Sequence, residues 1–232
     1  MLNEKIMYWF SRPVVRTYTG TMLDMDVKKK APLPKGAKII AANHPTTTDP
    51  FFVASMLRQQ SFIMINELLF QVPVLGAYLR RSGHIEVATG CGQKAVDRAL
   101  ELLRQGKTII IFPEGALSPS EGGFQDARTG VARLAIASGA PVIPVGIHLE
   151  RDRIRRIKST VRGNIEYGVW YLKGPYFMTT GQPLAFKGDV EDREFVRKTA
   201  RIVMHHIIEM AWESEQRMSQ TPPALFPQMS EY

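Results

Sequence analysis

A histidine followed five positions later by an aspartate, in Asn43-His44-Pro45-Thr46-Thr47-Thr48-Asp49, has the types and spacing of a base held by a carboxylate. A neutral imidazole can take a proton from an attacking hydroxyl. A carboxylate on its other nitrogen fixes the tautomer and stabilises the imidazolium. Such a pair also arises by chance, and Asp49-Pro50 reads equally well as a helix start, with Asp as N-cap and Pro at the first helical position. The two readings are compatible, because one carboxylate has two oxygens. A second candidate is Phe112-Pro113-Glu114-Gly115. There Pro113 stops an apolar run, Glu114 offers a carboxylate, and Gly115 lets a ligand approach the backbone closely. Alone, this tetrapeptide is also an ordinary acidic turn.

Both motifs sit at the ends of apolar runs that read as buried strands. Residues 37–42 (AKIIAA) precede the first, and residues 108–112 (TIIIF) form the start of the second. Further strands are expected at 61–65, 83–87 and 142–147. Helices are expected at 51–57, at 93–105, where Val96, Ala99, Leu100 and Leu103 share a face before Gly106, and at 129–138, stopped by Gly139. Strands alternating with helices predict an α/β fold, a single domain whose central, largely parallel sheet is flanked by helices. Active sites in such sheets gather at the carboxyl ends of strands, where both motifs lie.

Beyond these, residues 164–172 and 176–180 suggest a hairpin around Lys173-Gly174. Residues 190–218 suggest a long helix with Phe195, Thr199, Ile202, Val203, His206 and Met210 on one face. The first residues mix Trp9, Phe10 and Tyr18 with Arg12 and Arg16 around Pro13, which is expected to break or kink any helix there. This suits an interfacial segment or a helix docked on the domain. The organisation predicted is a docking segment and basic connector over 1–35, the catalytic domain with its C-terminal helix over 36–218, and a loose tail over 219–232.

The 232 residues, 44% hydrophobic and 22% charged, suit one ordinary globular core rather than disorder. One cysteine, Cys91, excludes an internal disulfide and a cysteine-rich zinc site. His205-His206 lacks a third partner at ligand spacing, so no metal is expected. No apolar run approaches the roughly 18–20 residues that span a bilayer. Expected placement is therefore cytoplasmic, peripheral on the inner face of the membrane, with no transmembrane helix. The net charge of +8 fits nucleic acid, an anionic membrane surface or an acidic substrate. Much of it falls in Arg151, Arg153, Arg155, Arg156, Lys158 and Arg162, which read as a solvated loop or a stretch facing anionic lipid or the phosphates of coenzyme A.

Together, Asn43 to Asp49 and Phe112 to Gly115 resemble the signature of the glycerolipid acyltransferases, the family that includes the lysophosphatidic acid acyltransferases: Asn-His-x4-Asp, then Phe-Pro-Glu-Gly. Ala140-Pro141-Val142-Ile143-Pro144-Val145 is similar to a further block, and Gly-Val-Ala-Arg-Leu-Ala at 130–135 to the helix that follows Glu-Gly. The resemblance runs over residues 38–185 in consistent order. It implies transfer of an acyl group from a thioester, acyl-CoA or acyl carrier protein, to a hydroxyl, with that thioester as a substrate and no cofactor. His44 would be the general base and Asp49 its orienting partner. Asn43, Pro113, Glu114 and Gly115 would help position the acceptor. The partners implied are the donor, a lipid-like alcohol and an anionic membrane surface, with no nucleic acid.

The chain departs from the family at basic positions associated with acceptor phosphate. Asn66 stands before Glu67-Leu68 where a Lys is common, while Thr89 and Leu117 stand where Arg is common. Arg80, Arg81 and Arg128 are the basic residues left to compensate. The acceptor expected is accordingly a lysolipid or another lipid-like alcohol rather than a plain glycerol phosphate. Two other classes compete: a basic nucleic-acid-binding protein, against which no recognition motif is found, and an acyl-lipid binding protein that has lost activity.

Overall fold

Every residue of the strand Lys38–Ala42 is buried, and its side chains divide by parity. Ile39 and Ala41 enter one hydrophobic cluster and Ile40 and Ala42 the other. Ile109 and Ile111 against Ile110 and Phe112 divide in the same way. Side chains alternate across a strand, so a strand with both faces buried must be apolar throughout.

The computed structural model describes residues 2–161 and 164–220. In chain order the elements are α1 (Leu2–Thr21), β1 (Leu23–Lys29), β2 (Lys38–Ala42), α2 (Asp49–Ser55), β3 (Ser61–Asn66), α3 (Glu67–Phe70), α4 (Leu75–Arg81), β4 (Ile85–Val87), α5 (Gly92–Arg104), β5 (Thr108–Ile111), α6 (Gly130–Ser138), β6 (Val142–Leu149), β7 (Ile154–Val161), β8 (Asn164–Tyr171), β9 (Gly174–Thr180) and α7 (Arg193–Gln220). Seven strands form one sheet in the order β1-β9-β6-β2-β5-β3-β4. Among the described residues of this sheet, only the β6–β9 pairing is antiparallel. The expected α/β architecture, with a largely parallel central sheet, is the one observed. Residues from α5, α6 and α7 cover one face, and those from α2 and α4 the other.

Five local expectations are corrected. Residues 164–172 do not pair with 176–180. Asn164–Tyr171 pairs instead with Ile154–Val161 as a separate two-stranded ribbon, and β9 enters the main sheet between β1 and β6. Of the basic stretch read as a loop, Arg155, Arg156 and Lys158 therefore lie in strand β7 and Arg151 and Arg153 in the 3-10 turn before it, while Arg162 lies outside the described residues. Lys28 and Lys29 end an edge strand rather than belonging to a connector, because Leu23, Met25 and Val27 alternate inward while the charges point out, as edge strands favour. Pro13 lies inside α1 without ending it. Its ring removes one helical hydrogen bond on an exposed side of the helix, where water can serve the freed carbonyl. On α7 the buried face carries Val196, Thr199, Ala200, Val203, Ile207 and Met210, leaving Ile202 exposed. Residues 221–232, most of the tail expected to be loose, lie outside the described residues.

One interior group links this packing to pH. The imidazole Nδ1 of His84 accepts from the Ile63 amide at 3.2 Å, and burial lowers its pKa to about 4. A histidine depressed in the folded state binds its proton more readily when unfolded. Its contribution is thus complete above the unfolded value near 6.5 and is lost as pH falls toward 4. Acid should cost about 2–3 kcal/mol over that window through this residue. Denaturant unfolding of His84→Gln between pH 7 and pH 4 should show a correspondingly flatter dependence, and an unchanged slope would contradict it.

Candidate active site

Strand β2 delivers its chain to the carboxyl edge of the sheet, and Asn43 fixes it there. Asn43 is buried, donating through Nδ2 to the Ile147 carbonyl at 3.0 Å and accepting through Oδ1 from the Ile147 amide at 2.7 Å. Both ends of its amide are occupied, so it ties this loop to β6 rather than meeting a substrate.

His44 follows. Its Nδ1 lies 3.2 Å from Asp49 Oδ2, and its ring stacks on Phe112 at 4.1 Å between centroids, 23° from parallel. Asp49 is completely buried. Its Oδ2 also accepts from the Thr46 amide at 2.6 Å, and its Oδ1 accepts from Thr46 Oγ1 at 2.6 Å and Tyr176 Oη at 2.8 Å. Donors on both oxygens offset the cost of burying a carboxylate and hold it in one orientation. Burial, with the Asp49 charge beside it, pushes the Tyr176 hydroxyl well above its usual pKa, so it remains a donor. The expected role of Asp49 as N-cap is corrected: Thr48 precedes the helix, and Asp49 is its first residue, its side chain turned back onto Thr46. With Nδ1 directed at Asp49, Nε2 is the nitrogen left for chemistry, on a side chain 18% exposed.

The second loop clamps the first. Glu114 is buried, and its Oε1 accepts from the His44 amide at 2.9 Å and from Ser118 Oγ at 2.7 Å. Its Oε2 accepts from the Gln125 amide at 2.7 Å, and the Ser118 amide donates to the His44 carbonyl at 2.8 Å. Glu114 thus positions the histidine backbone instead of offering a free carboxylate to an acceptor, and Pro113 is buried with it. Gly115 and Arg128 are exposed at the rim. Gly115 adopts φ +66°, and a Cβ there would come within 2.5 Å of the Arg128 side chain lying over it. Any other residue would be strained and would displace that arginine.

Arg80 and Arg81 end α4. Arg80 donates to the Phe70 carbonyl at 2.6 Å, capping α3, and Arg81 is exposed. Among the described residues neither is joined by a hydrogen bond or ion pair to the loops bearing His44 and Glu114. Asn66 caps α3, its Oδ1 accepting from the Leu68 amide at 2.9 Å. His205 and His206 both approach Glu209, and no group of three potential metal ligands occurs among the described residues. Tyr176 and Ser118 are contributors that sequence reasoning missed. Tyr176 lies 127 positions from Asp49, and no local pattern marks it.

An imidazole held by a buried carboxylate, beside a clamped loop at the carboxyl edge of a parallel sheet, is an arrangement that can take a proton from a hydroxyl. The family model described as Acyltransferase matches residues 24–148, and so takes in both loops. The chain belongs to the acyltransferase family. Within it, this acyltransferase is 25% identical over 230 residues to the 1-acyl-sn-glycerol-3-phosphate acyltransferase of Saccharomyces cerevisiae, covering 95% of this chain and 73% of that one. It is 29% identical over 117 residues to the enzyme of the same name from Pseudomonas aeruginosa, 49% of this chain and 45% of that one. To the lyso-ornithine lipid O-acyltransferase of the same bacterium it is 28% identical over 137 residues, 57% and 51% of the two chains. The matches to these two bacterial relatives thus span about half of their length. The crystal structure of the 1-acyl-sn-glycerophosphate acyltransferase PlsC from Thermotoga maritima superposes with a TM-score of 0.62 at 21% identity, over 94% of this chain and 81% of that one. That likeness concerns the fold. The expectation of an O-acyltransferase of the phospholipid and glycerol type agrees with these relatives.

Proposed function

We propose that this acyltransferase moves an acyl group from a thioester to the hydroxyl of a lysolipid, with His44 as general base and Asp49 as the residue that orients it. The observation that carries this reading is the Asp49 carboxylate, wholly buried and gripped by Thr46 and Tyr176, with Oδ2 against His44 Nδ1. His44 Nε2 removes the acceptor proton as the acceptor oxygen bonds to the thioester carbonyl carbon. The carbon–sulfur bond then breaks, and the thiolate leaves with the proton that the imidazolium returns. A thiolate leaves readily, so the imidazolium is acid enough and no covalent acyl-enzyme is required.

The acceptor is a lysolipid or related lipid-like alcohol. Relatives named 1-acyl-sn-glycerol-3-phosphate acyltransferase and lyso-ornithine lipid O-acyltransferase support that class, and Asn66, Thr89 and Leu117 at positions where basic residues are common favour a head group other than a plain glycerol phosphate. The test is acceptor-dependent thiol release from acyl-CoA or acyl carrier protein, with lysophosphatidic acid, glycerol 3-phosphate and lysolipids lacking a phosphate monoester. Turnover is expected with the last group, and efficient turnover confined to the two phosphate monoesters would overturn that choice.

The enzyme works at a membrane surface. No described helix is long and apolar enough to cross a bilayer. On α1, however, Ile6, Trp9, Phe10 and Val14 recur at helical spacing and are 43%, 65%, 75% and 69% exposed. An exposed apolar stripe of this kind, flanked by Arg12 and Arg16, suits the interface between head groups and acyl chains. The side of α1 away from the stripe docks on the domain, where Thr19 is buried, and Tyr18, near the end of the helix, stacks on Phe52. Trp9→Glu with Phe10→Glu should reduce sedimentation with anionic vesicles at least about tenfold, and unaltered sedimentation would contradict the assignment.

A further inference from the structure

The ribbon formed by β7 and β8 is tied directly to the His44 loop. The Thr47 amide donates to the Val169 carbonyl at 2.7 Å, and the Val169 amide donates to Thr47 Oγ1 at 3.0 Å. On the other side Arg151 donates to the carbonyls of Pro119 and Ser120 at 3.0 and 3.1 Å, in the loop that follows Ser118. The ribbon is therefore bonded to the His44 loop, and the turn that leads into it, Arg151–Arg153, to the loop that follows Ser118.

Arg155, Arg156 and Lys158 are exposed and make no hydrogen bond or ion pair among the described residues. Directly opposed residues share a face of a ribbon, and the register opposes Arg156 to Val169 and Lys158 to Tyr167. Arg156, Lys158 and Tyr167 thus lie on one face, and Tyr167 is 62% exposed. That face is near the 119–123 loop: Glu121 is held below its usual carboxylate range by the Ser120 hydroxyl and its own amide, with Arg156 and Arg151 adding to the effect.

We propose that this face docks the nucleotide end of a coenzyme A thioester, Arg156 and Lys158 taking its phosphates and Tyr167 stacking its adenine. The inference rests on reading His44 as the base of thioester transfer, and it names the donor that reading leaves open. A coenzyme A donor is a polyanion at one end and a reactive thioester at the other, joined by a thin, neutral arm. It calls for a cationic, partly aromatic anchor held at a fixed distance from the base, which a ribbon bonded to Thr47 supplies. A bilayer meets one plane, whereas the ribbon's cations divide between its two faces, with Arg155 opposite Trp170 on the other side. The apolar stripe for a membrane is on α1.

The test uses the full chain and two measurements. Calorimetric titration with coenzyme A should show binding that weakens about 10–100-fold in Arg156→Ala/Lys158→Ala and less in Lys158→Ala alone. It should also weaken with added salt. In steady state, the wild type should prefer acyl-CoA over the acyl-pantetheine thioester, which lacks the nucleotide, and the double variant should lose that preference through KM for acyl-CoA. Unchanged coenzyme A affinity in the double variant would overturn the proposal. So would a defect seen only with acyl carrier protein, or only in vesicle binding. Absence of acceptor-dependent thiol release from both thioesters, with coenzyme A binding and its loss in the variant intact, would instead count against the function proposed for His44.

Discussion

Replacing His44 with alanine is expected to lower acceptor-dependent thiol release by about 10²–10⁴-fold, the range a positioned general base contributes. The change removes the only group in the His44 loop able to accept the hydroxyl proton at neutral pH, since Asp49 is buried behind it with every oxygen engaged. The fold should survive. The His44 backbone, not its side chain, makes the bonds to Glu114 and Ser118, and alanine keeps that backbone. What is lost is the ring contact with Phe112 at 4.1 Å and the Nδ1 contact with Asp49 Oδ2 at 3.2 Å, an oxygen that keeps the Thr46 amide, together roughly 2–3 kcal/mol. Steady-state rates alongside a thermal melt separate the two effects. A variant with that loss of rate and a Tm lowered by no more than about 10 °C is the expected pair of results.

Asp49→Asn should damage both activity and stability. The amide has nearly the shape of the carboxylate, but one oxygen becomes an NH2 group facing donors. Depending on its flip, that group meets the Thr46 amide and His44 Nδ1, or Thr46 Oγ1 and Tyr176 Oη. Hydroxyls can turn to accept, but the Thr46 amide cannot, so the oxygen is expected to stay with Thr46 N. Tyr176 then loses its charged acceptor inside the core. A cost of roughly 2–4 kcal/mol follows, about 5–15 °C in Tm for a domain of this size. His44 loses the charge that stabilises its imidazolium, and the rate measured well below the melt should fall by about 10²–10⁴-fold. Asp49→Asn with full activity would remove the carboxylate from the mechanism. A Tm equal to wild type would show that the four donors do not need its charge.

The strands nearest the site were the easiest to read, for a physical reason. Residues 38–42 and 108–111 are buried on both faces, which forces a continuous apolar run that little else in a chain of this composition imitates. Gly139, at φ +63°, ended α6 where its backbone freedom suggested. The ribbon is hidden in the sequence because strand pairing is non-local. Two short strands around Lys173-Gly174 look like a hairpin, yet the chain there crosses from β8 into the main sheet. The true partner of β8, Ile154–Val161, hides its pattern because residues 155–158 are all exposed and charge replaces alternation. Strand β1 did carry a signal, the inward alternation of Leu23, Met25 and Val27, masked by the lysines that follow.

The site was legible in its motifs but not in its supports. His44 and Asp49 lie within one turn of chain, so their spacing is visible. Tyr176, which completes the grip on Asp49, and the ribbon strand behind Thr47 arrive from more than 120 positions away. Asn43 and Glu114 stood out as polar residues beside a motif and were read as substrate contacts. The hydrogen bonds that bury them, to Ile147 and to the backbone of the neighbouring loop, depend on which strands lie side by side. Sequence proximity does not contain that.

The central claim is that His44 activates the acceptor directly, without an acyl-enzyme. Its most direct test is a rapid-mixing time course of thiol release from acyl-CoA, or from acyl carrier protein if that is the working donor, with and without a lysolipid acceptor, for wild type and His44→Ala. The account predicts release by the wild type only when acceptor is present, with no initial burst, and matching formation of the acylated lipid. His44→Ala should show neither. A stoichiometric burst of thiol without acceptor, or equal release by the two proteins, would contradict it.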